Sequence, residues 1–178
     1  WAKSSIQPEN IHKWTLYVGK QSEEKTAVDA MREYKPKRVI INIGSNSASW
    51  MSPDLFTQYY EMLIANMQQA SPETEIIISS VYPVARRYDD ANKSSSTSND
   101  KVNKINFALA QMCQRLDLKF LNVAEALKDS EGHAKDGLLY DSDGIHPKKE
   151  TYEIIVKYIR THTDVGAEQK TEENKENA

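Results

Sequence analysis

Apolar residues along the chain alternate between two kinds of pattern. Val39-Ile40-Ile41-Asn42-Ile43, within Arg38 to Ile43, is a nearly continuous β-branched run, the signature of a strand covered on both faces in a parallel sheet. Glu75 to Val81 repeats it around Ile76-Ile77-Ile78, and Leu118 to Val123 makes a third strand. Between these runs the spacing is helical. From Ser22 to Tyr34 the residues Ala27, Val28, Met31 and Tyr34 share one face, with Thr26 and Asp29 as a capping pair for a slightly later start and Pro36 as the stop. Ser52-Pro53 is a cap followed by a first-turn proline, and Leu55, Tyr59, Met62, Leu63, Met67 and Ala70 form the stripe of a long helix ending before Pro72. Asp100 is placed to cap a helix carrying Val102, Ile105, Ala108, Leu109 and Met112. Ala124 to Lys128 reads as one helical turn, and Tyr152, Ile155, Val156 and Ile159 mark a closing helix.

Two stretches lack either period. Residues 1–21 read as loop with a little strand near Thr15 to Val18, and Tyr82 to Asn99 is a long polar loop of the kind that forms lids or binding loops. From Thr163 onward the composition turns to Glu, Gln, Lys and Asn with nothing to bury, so one domain over 1–162 is followed by a polar tail or linker over 163–178. Helices alternating with strands, joined by right-handed crossovers, predict an α/β sandwich of three layers, α/β/α, with a central parallel sheet. In such sheets chemistry collects at the carboxyl ends of the strands. Gly44-Ser45-Asn46 follows one strand, the long loop follows the next, and the stretch before the last helix can reach the same edge.

Composition narrows the function. The 178 residues are 28% charged with a net charge of -3, and the positive residues are dispersed among negative ones, with no basic block to track a phosphate backbone. Nucleic acid is therefore not an expected partner. The single cysteine, Cys113, excludes an internal disulfide framework and falls on an apolar helical face as small core filler. His12, His133, His146 and His162 lack the helical pairing of a zinc site, and neither metal nor cofactor is expected. No apolar run approaches the length of a membrane span, and no signal-peptide pattern opens the chain.

The chemistry-bearing stretch is Asp141-Ser142-Asp143-Gly144-Ile145-His146-Pro147. A carboxylate and an imidazole three positions apart around a glycine can converge on one point, the arrangement of a histidine base held by an orienting acid. The stretch also fits a tight Asp-Gly turn followed by a helix that starts at His146-Pro147. Asn46, taken alone, fits a turn residue beside Gly44.

Taken together, the strand before Gly44-Ser45-Asn46, the succeeding helix and strand, and Asp143-Gly144-Ile145-His146-Pro147 before the last helix resemble the GDSL-type SGNH hydrolases over about Trp1 to His162. The resemblance implies a flavodoxin-like sandwich and a serine esterase for small acyl or acetyl esters, including esters of carbohydrate. It implies that His146 is the general base, Asp143 its orienting acid, and Asn46 an oxyanion donor beside Gly44. Ser5 falls near the glycine whose amide joins that hole, and Arg86 in the long loop is a candidate substrate contact. Similarity to secreted bacterial esterases implies an extracellular or cell-surface setting.

Two positions depart from the family pattern. Ser47 stands where the family has aspartate, which changes the bonds bracing that loop. No Gly-Asp-Ser-Leu nucleophile motif occurs, and Ser4 and Ser5 do not sit on the sharp strand-to-helix turn that exposes a nucleophile. The expectation is a domain incomplete at its N-terminus, without its first strand, and inactive unless a serine lies upstream. The alternative is a noncatalytic carbohydrate-binding or interaction module on the same scaffold, contacted through Arg86, Arg87 and Tyr88. A dinucleotide-binding module is disfavoured by the lack of a glycine-rich phosphate loop.

Overall fold

A computed structural model of the chain describes residues 6–18, 23–91 and 97–163. The polar tail after Thr163 and the positions of Ser4 and Ser5 lie outside them.

Strands β1 (Thr15–Val18) and β2 (Glu23–Thr26) pair antiparallel, so residues 23–26 are strand where the helical spacing had predicted the start of a helix. The capping pair identifies the true helix start: Thr26 Oγ1 accepts from Asp29 N at 3.1 Å, and α1 runs over Ala27–Tyr34. Strands β3 (Arg38–Ile41), β4 (Glu75–Ser79) and β5 (Lys119–Leu121) form a parallel sheet in that order, with Val39 opposite Ile76 and Ile78 opposite Phe120. Each strand stops earlier than its apolar run. Between them come α2 (Pro53–Ala70), α3 (Arg86–Ala91) and α4 (Asn99–Arg115), and after them α5 (Val123–Leu127) and α6 (Thr151–His162).

Because a strand's side chains alternate between faces, the isoleucine run of β4 supplies two cores. Ile76 and Ile78 join α1, α2 and α4 on one face, while Ile77 packs with Leu121, Val123, Leu127 and Ile155 on the other. This is the expected three-layer α/β/α arrangement. A charged clamp fastens the strands where they begin: Glu75 of β4 accepts from Arg38 of β3 at 2.5 Å and from Lys119 of β5 at 2.8 Å.

The predicted helix faces need correction. In α2 the buried residues are Phe56, Tyr60, Leu63, Ile64 and Met67, while Leu55 and Met62 are exposed. In α6, Ile155 and Ile159 face the core, but Tyr152 and Val156 do not. The cap of α4 is Ser98, whose Oγ accepts from Lys101 N, not Asp100. The long loop contains helix α3, which carries both Arg86 and Arg87.

Candidate active site

Asp143 and His146 lie in a closed hairpin. Leu139 bridges antiparallel to Pro147, Tyr140 N donates to His146 O at 2.9 Å, and Lys148 N donates to Leu138 O at 2.9 Å. At the tip, Gly144 (φ +70°) donates to Tyr140 O at 2.8 Å, in a conformation that side chains other than glycine adopt at a cost. Helix α6 begins at Thr151, so His146-Pro147 does not open it; the buried Thr151 hydroxyl instead donates to Leu138 O and ties the helix to the hairpin base.

Within this frame the Asp143 carboxylate divides its two oxygens. Oδ1 accepts from the main-chain N–H of Ile145 at 2.7 Å and of His146 at 2.9 Å, while Oδ2 lies 3.0 Å from His146 Nδ1. Partial burial pushes the carboxyl up, but the bonds from His146 N, Ile145 N and the imidazole outweigh it and hold Asp143 below its ordinary range. An ionised carboxylate only accepts, so the proton of a neutral ring belongs on Nδ1 and Nε2 carries the lone pair. The imidazole side chain is 71% exposed and opens into a cavity of about 660 Å³.

The loop after β3 is built from beneath. Gly44 (φ +119°) sits directly over the buried Phe56 ring, and the Tyr60 hydroxyl donates to Ile43 O at 2.7 Å and accepts from Ile43 N at 3.3 Å. Phe56 and Tyr60 stack one helical turn apart with centroids 5.3 Å apart, so one face of α2 sets the level of Gly44-Ser45-Asn46. Ser47 is fully buried and donates to Glu9 Oε2 at 3.0 Å, so a carboxylate from the N-terminal segment braces the loop at the position where the sequence departs from the family pattern. Gly44, Ser45 and the exposed Asn46 line a cavity of about 650 Å³ that runs along β3.

The segment after β4 touches both loops. Two asparagines of α4 hold it as a strand partner would: Asn106 pairs with both main-chain groups of Val81, and Asn99 with both of Val84. Ala85 N then donates to Gly144 O at 2.9 Å, and the Arg87 guanidinium donates to Tyr140 O at 2.9 Å and to Asp141 O, which fastens α3 to the hairpin. At the segment's other end Thr97 donates to Ser45 O at 3.2 Å and Lys101 to Ser49 O at 2.7 Å. Asn99 and Asn106 are supporting residues that sequence spacing missed, and Arg87, expected as a ligand contact of a binding module, instead ties α3 to the hairpin. The i, i+7 pair of asparagines on an otherwise apolar helix face was the available signal.

Of the residues singled out from sequence, the structure joins Asp143 to His146 and places Gly44 beside Asn46. The two pairs line different cavities with no lining residue in common. Arg86 is engaged elsewhere, with Glu131 at 2.5 Å and Asp129 at 3.6 Å. Among the described residues no serine hydroxyl is bonded to the imidazole, no group of three or more acidic, histidine or cysteine side chains is placed to hold a metal, and no helix is long and apolar enough to cross a membrane.

A parallel sheet between helical layers, with a carboxylate-held imidazole in the hairpin before the last helix, defines a hydrolase-type α/β/α domain. The chain belongs to the GDSL-like lipase/acylhydrolase family, whose model matches residues 11–154. Among solved structures it is similar to a protein from Streptococcus pneumonia provisionally described as a platelet activating factor, at 21% identity over 76% of this chain and 67% of that one, with a TM-score of 0.64. It is also similar to a carbohydrate esterase family 3 protein from Talaromyces cellulolyticus, at 18% identity over 86% of this chain and 64% of that one (TM-score 0.61). A GDSL-like lipase from Bacteroides thetaiotaomicron matches at 22% identity over 75% of this chain and 67% of that one (TM-score 0.53). At these identities the likeness is one of fold. The chain spans about two thirds of the length of these structures. No curated protein sequence matches it significantly.

Proposed function

We propose that the protein is a serine esterase acting on small acyl or acetyl esters, including esters of carbohydrate. The observation that carries this is the division of the Asp143 carboxylate between the hairpin backbone and His146 Nδ1, which leaves Nε2 as the base in an open cavity. In the first step Nε2 takes the proton of a serine hydroxyl as its oxygen attacks the ester carbonyl. The carbonyl π pair moves onto oxygen; the family resemblance assigns the donor of that oxyanion to the Asn46 side-chain amide, which lines the other cavity, so the role requires an ester carbonyl that reaches from His146 to Asn46. The protonated imidazole then gives its proton to the leaving alcohol oxygen. That proton transfer accompanies cleavage of the carbon–alkoxy bond and leaves an acyl-serine; Nε2 then takes a proton from water as its oxygen attacks the acyl carbon, and returns that proton to the serine oxygen as the acyl–serine bond breaks and the acid departs. Family membership supports this reading and leaves the nucleophile to be identified.

The test is labelling of the full-length protein, any residues upstream of Trp1 included, with a fluorophosphonate followed by peptide mass spectrometry. A single labelled serine, lost in His146→Ala at unchanged circular dichroism, is the expected result. No labelled serine in a folded protein would overturn the reading in favour of a noncatalytic binding module on the same scaffold.

A further inference from the structure

If His146 returns its proton to the leaving alcohol, that oxygen must come within bonding reach of Nε2, and the rest of the alcohol must continue into the space the imidazole faces. That space is the open hollow that Tyr140, Ser142, Lys149 and Tyr152 line together with Asp143 and His146. Resting on the esterase reading, we infer that this cavity is the alcohol subsite and that it takes a pyranoside ring stacked against Tyr140 and Tyr152.

Both tyrosines line the cavity, and both are half-exposed, at 49% and 51%. Their exposure does not come from a loose backbone. Leu139, next to Tyr140, is buried and bridged to Pro147, and Thr151, next to Tyr152, is fully buried and bonded to Leu138 O. Two large rings are thus displayed from anchored main chain on either side of the catalytic turn, so little side-chain and backbone freedom is lost when something lies against them.

The remaining lining selects among the occupants such rings could take. Ser142 and Lys149 place a hydroxyl and an ammonium at the same cavity, and the tyrosines add their own hydroxyls. A fatty alcohol would need a continuous apolar wall, which Ser142, Asp143 and Lys149 interrupt. A sugar ring presents C–H bonds on its faces, which suit an aromatic surface, and hydroxyls around its edge, which suit the polar rim. An aryl alcohol would use the rings but not the rim.

The test is a titration of the full chain with xylotriose and, separately, with phenol, followed by amide chemical shifts. Saturable shifts with xylotriose, centred on residues 140–152 and about tenfold weaker in Tyr152→Ala and in Tyr140→Ala than in the tyrosine-to-phenylalanine variants, are the expected result. Xylotriose binding that is indifferent to both alanine variants, or saturable binding of phenol without xylotriose, would overturn the proposal. Methyl acetate hydrolysis, followed by pH-stat, reads the esterase assignment separately because that ester has no ring to place. A protein that binds xylotriose through the two tyrosines but leaves methyl acetate intact upholds the sugar site and refutes only the chemistry.

Discussion

A Cβ built on Gly44 would lie 2.2 Å from Cζ of Phe56. The ring is fully buried and stacked on Tyr60, so it has no room to retreat, and φ of +119° strains any side chain there. Gly44→Ala is expected to destabilise the protein by about 2–4 kcal/mol, combining backbone strain with overpacking. Urea unfolding checks this: a loss below about 0.5 kcal/mol, the size of an ordinary surface change, would mean the loop is not seated on Phe56.

Asp143→Asn separates the two duties of that carboxylate. The amide oxygen can still accept from Ile145 N and His146 N, but an amide that turns its nitrogen to the ring cannot hold the Nδ1–H tautomer. A fall in kcat of roughly 10⁴-fold with a near-native thermal midpoint is expected. A comparable loss of stability without a kcat effect would make Asp143 a structural turn residue only.

The same carboxyl predicts the acid limit of the hairpin. Its folded pKa is lower than its unfolded one, so the stabilisation it provides is complete above the unfolded value, about 3.9, and disappears as pH falls through the folded value. Amide exchange at Ile145 and His146 should therefore be protected at neutral pH and lose protection only in strong acid. Loss of protection near pH 6 would contradict the bonding described.

Arg87 is expected to act as a positioning residue, since its guanidinium bridges Tyr140 O and Asp141 O and lies 3.8 Å from the Asp141 carboxylate. Arg87→Ala should lower kcat by about tenfold, the order lost with an exposed charged hydrogen bond, while the acid limb of the pH–rate profile keeps its place. Arg87→Lys should recover only part of it, because an ammonium does not reproduce the planar fork. Full recovery by lysine would reduce the role to charge.

Cys113 is buried in the α4 face of the core, and burial alone pushes its thiol up to about 12. A disulfide reagent should leave it unmodified at pH 8 in native protein and modify it fully in denaturant. Rapid native reaction would place it near the surface.

Much of this was legible in residue order. The strand runs Val39–Ile43, as far as Ile41, and Ile76–Ile78, the caps at Thr26 and Ser52, and the Asp143–His146 spacing depend on near neighbours and occur in the structure. The chain did not announce β2, since Glu23-Glu24-Lys25-Thr26 has no apolar alternation and becomes strand only by pairing with β1. Helix α3 was equally hidden: six residues, all but Ala91 polar and none buried, form a helix because Ala85, Arg86 and Arg87 are held by groups on other loops. The stripe on α2 was misjudged because Leu55, Phe56, Tyr59, Tyr60, Met62 and Leu63 allow several apolar faces. The choice of Phe56 and Tyr60 depends on Gly44 and Ile43, which they contact across the fold.

The α/β class, the parallel strands and the Asp143–His146 pair follow from residue order, because β-branched runs, caps and a three-residue turn are local in their physics. Which helix faces are buried, what braces the loop at Ser47, and what engages Arg86 emerge from the folded layers alone. Those outcomes depend on partners tens of residues away, Glu9 for Ser47 and Glu131 for Arg86, whose proximity arises only when the layers close.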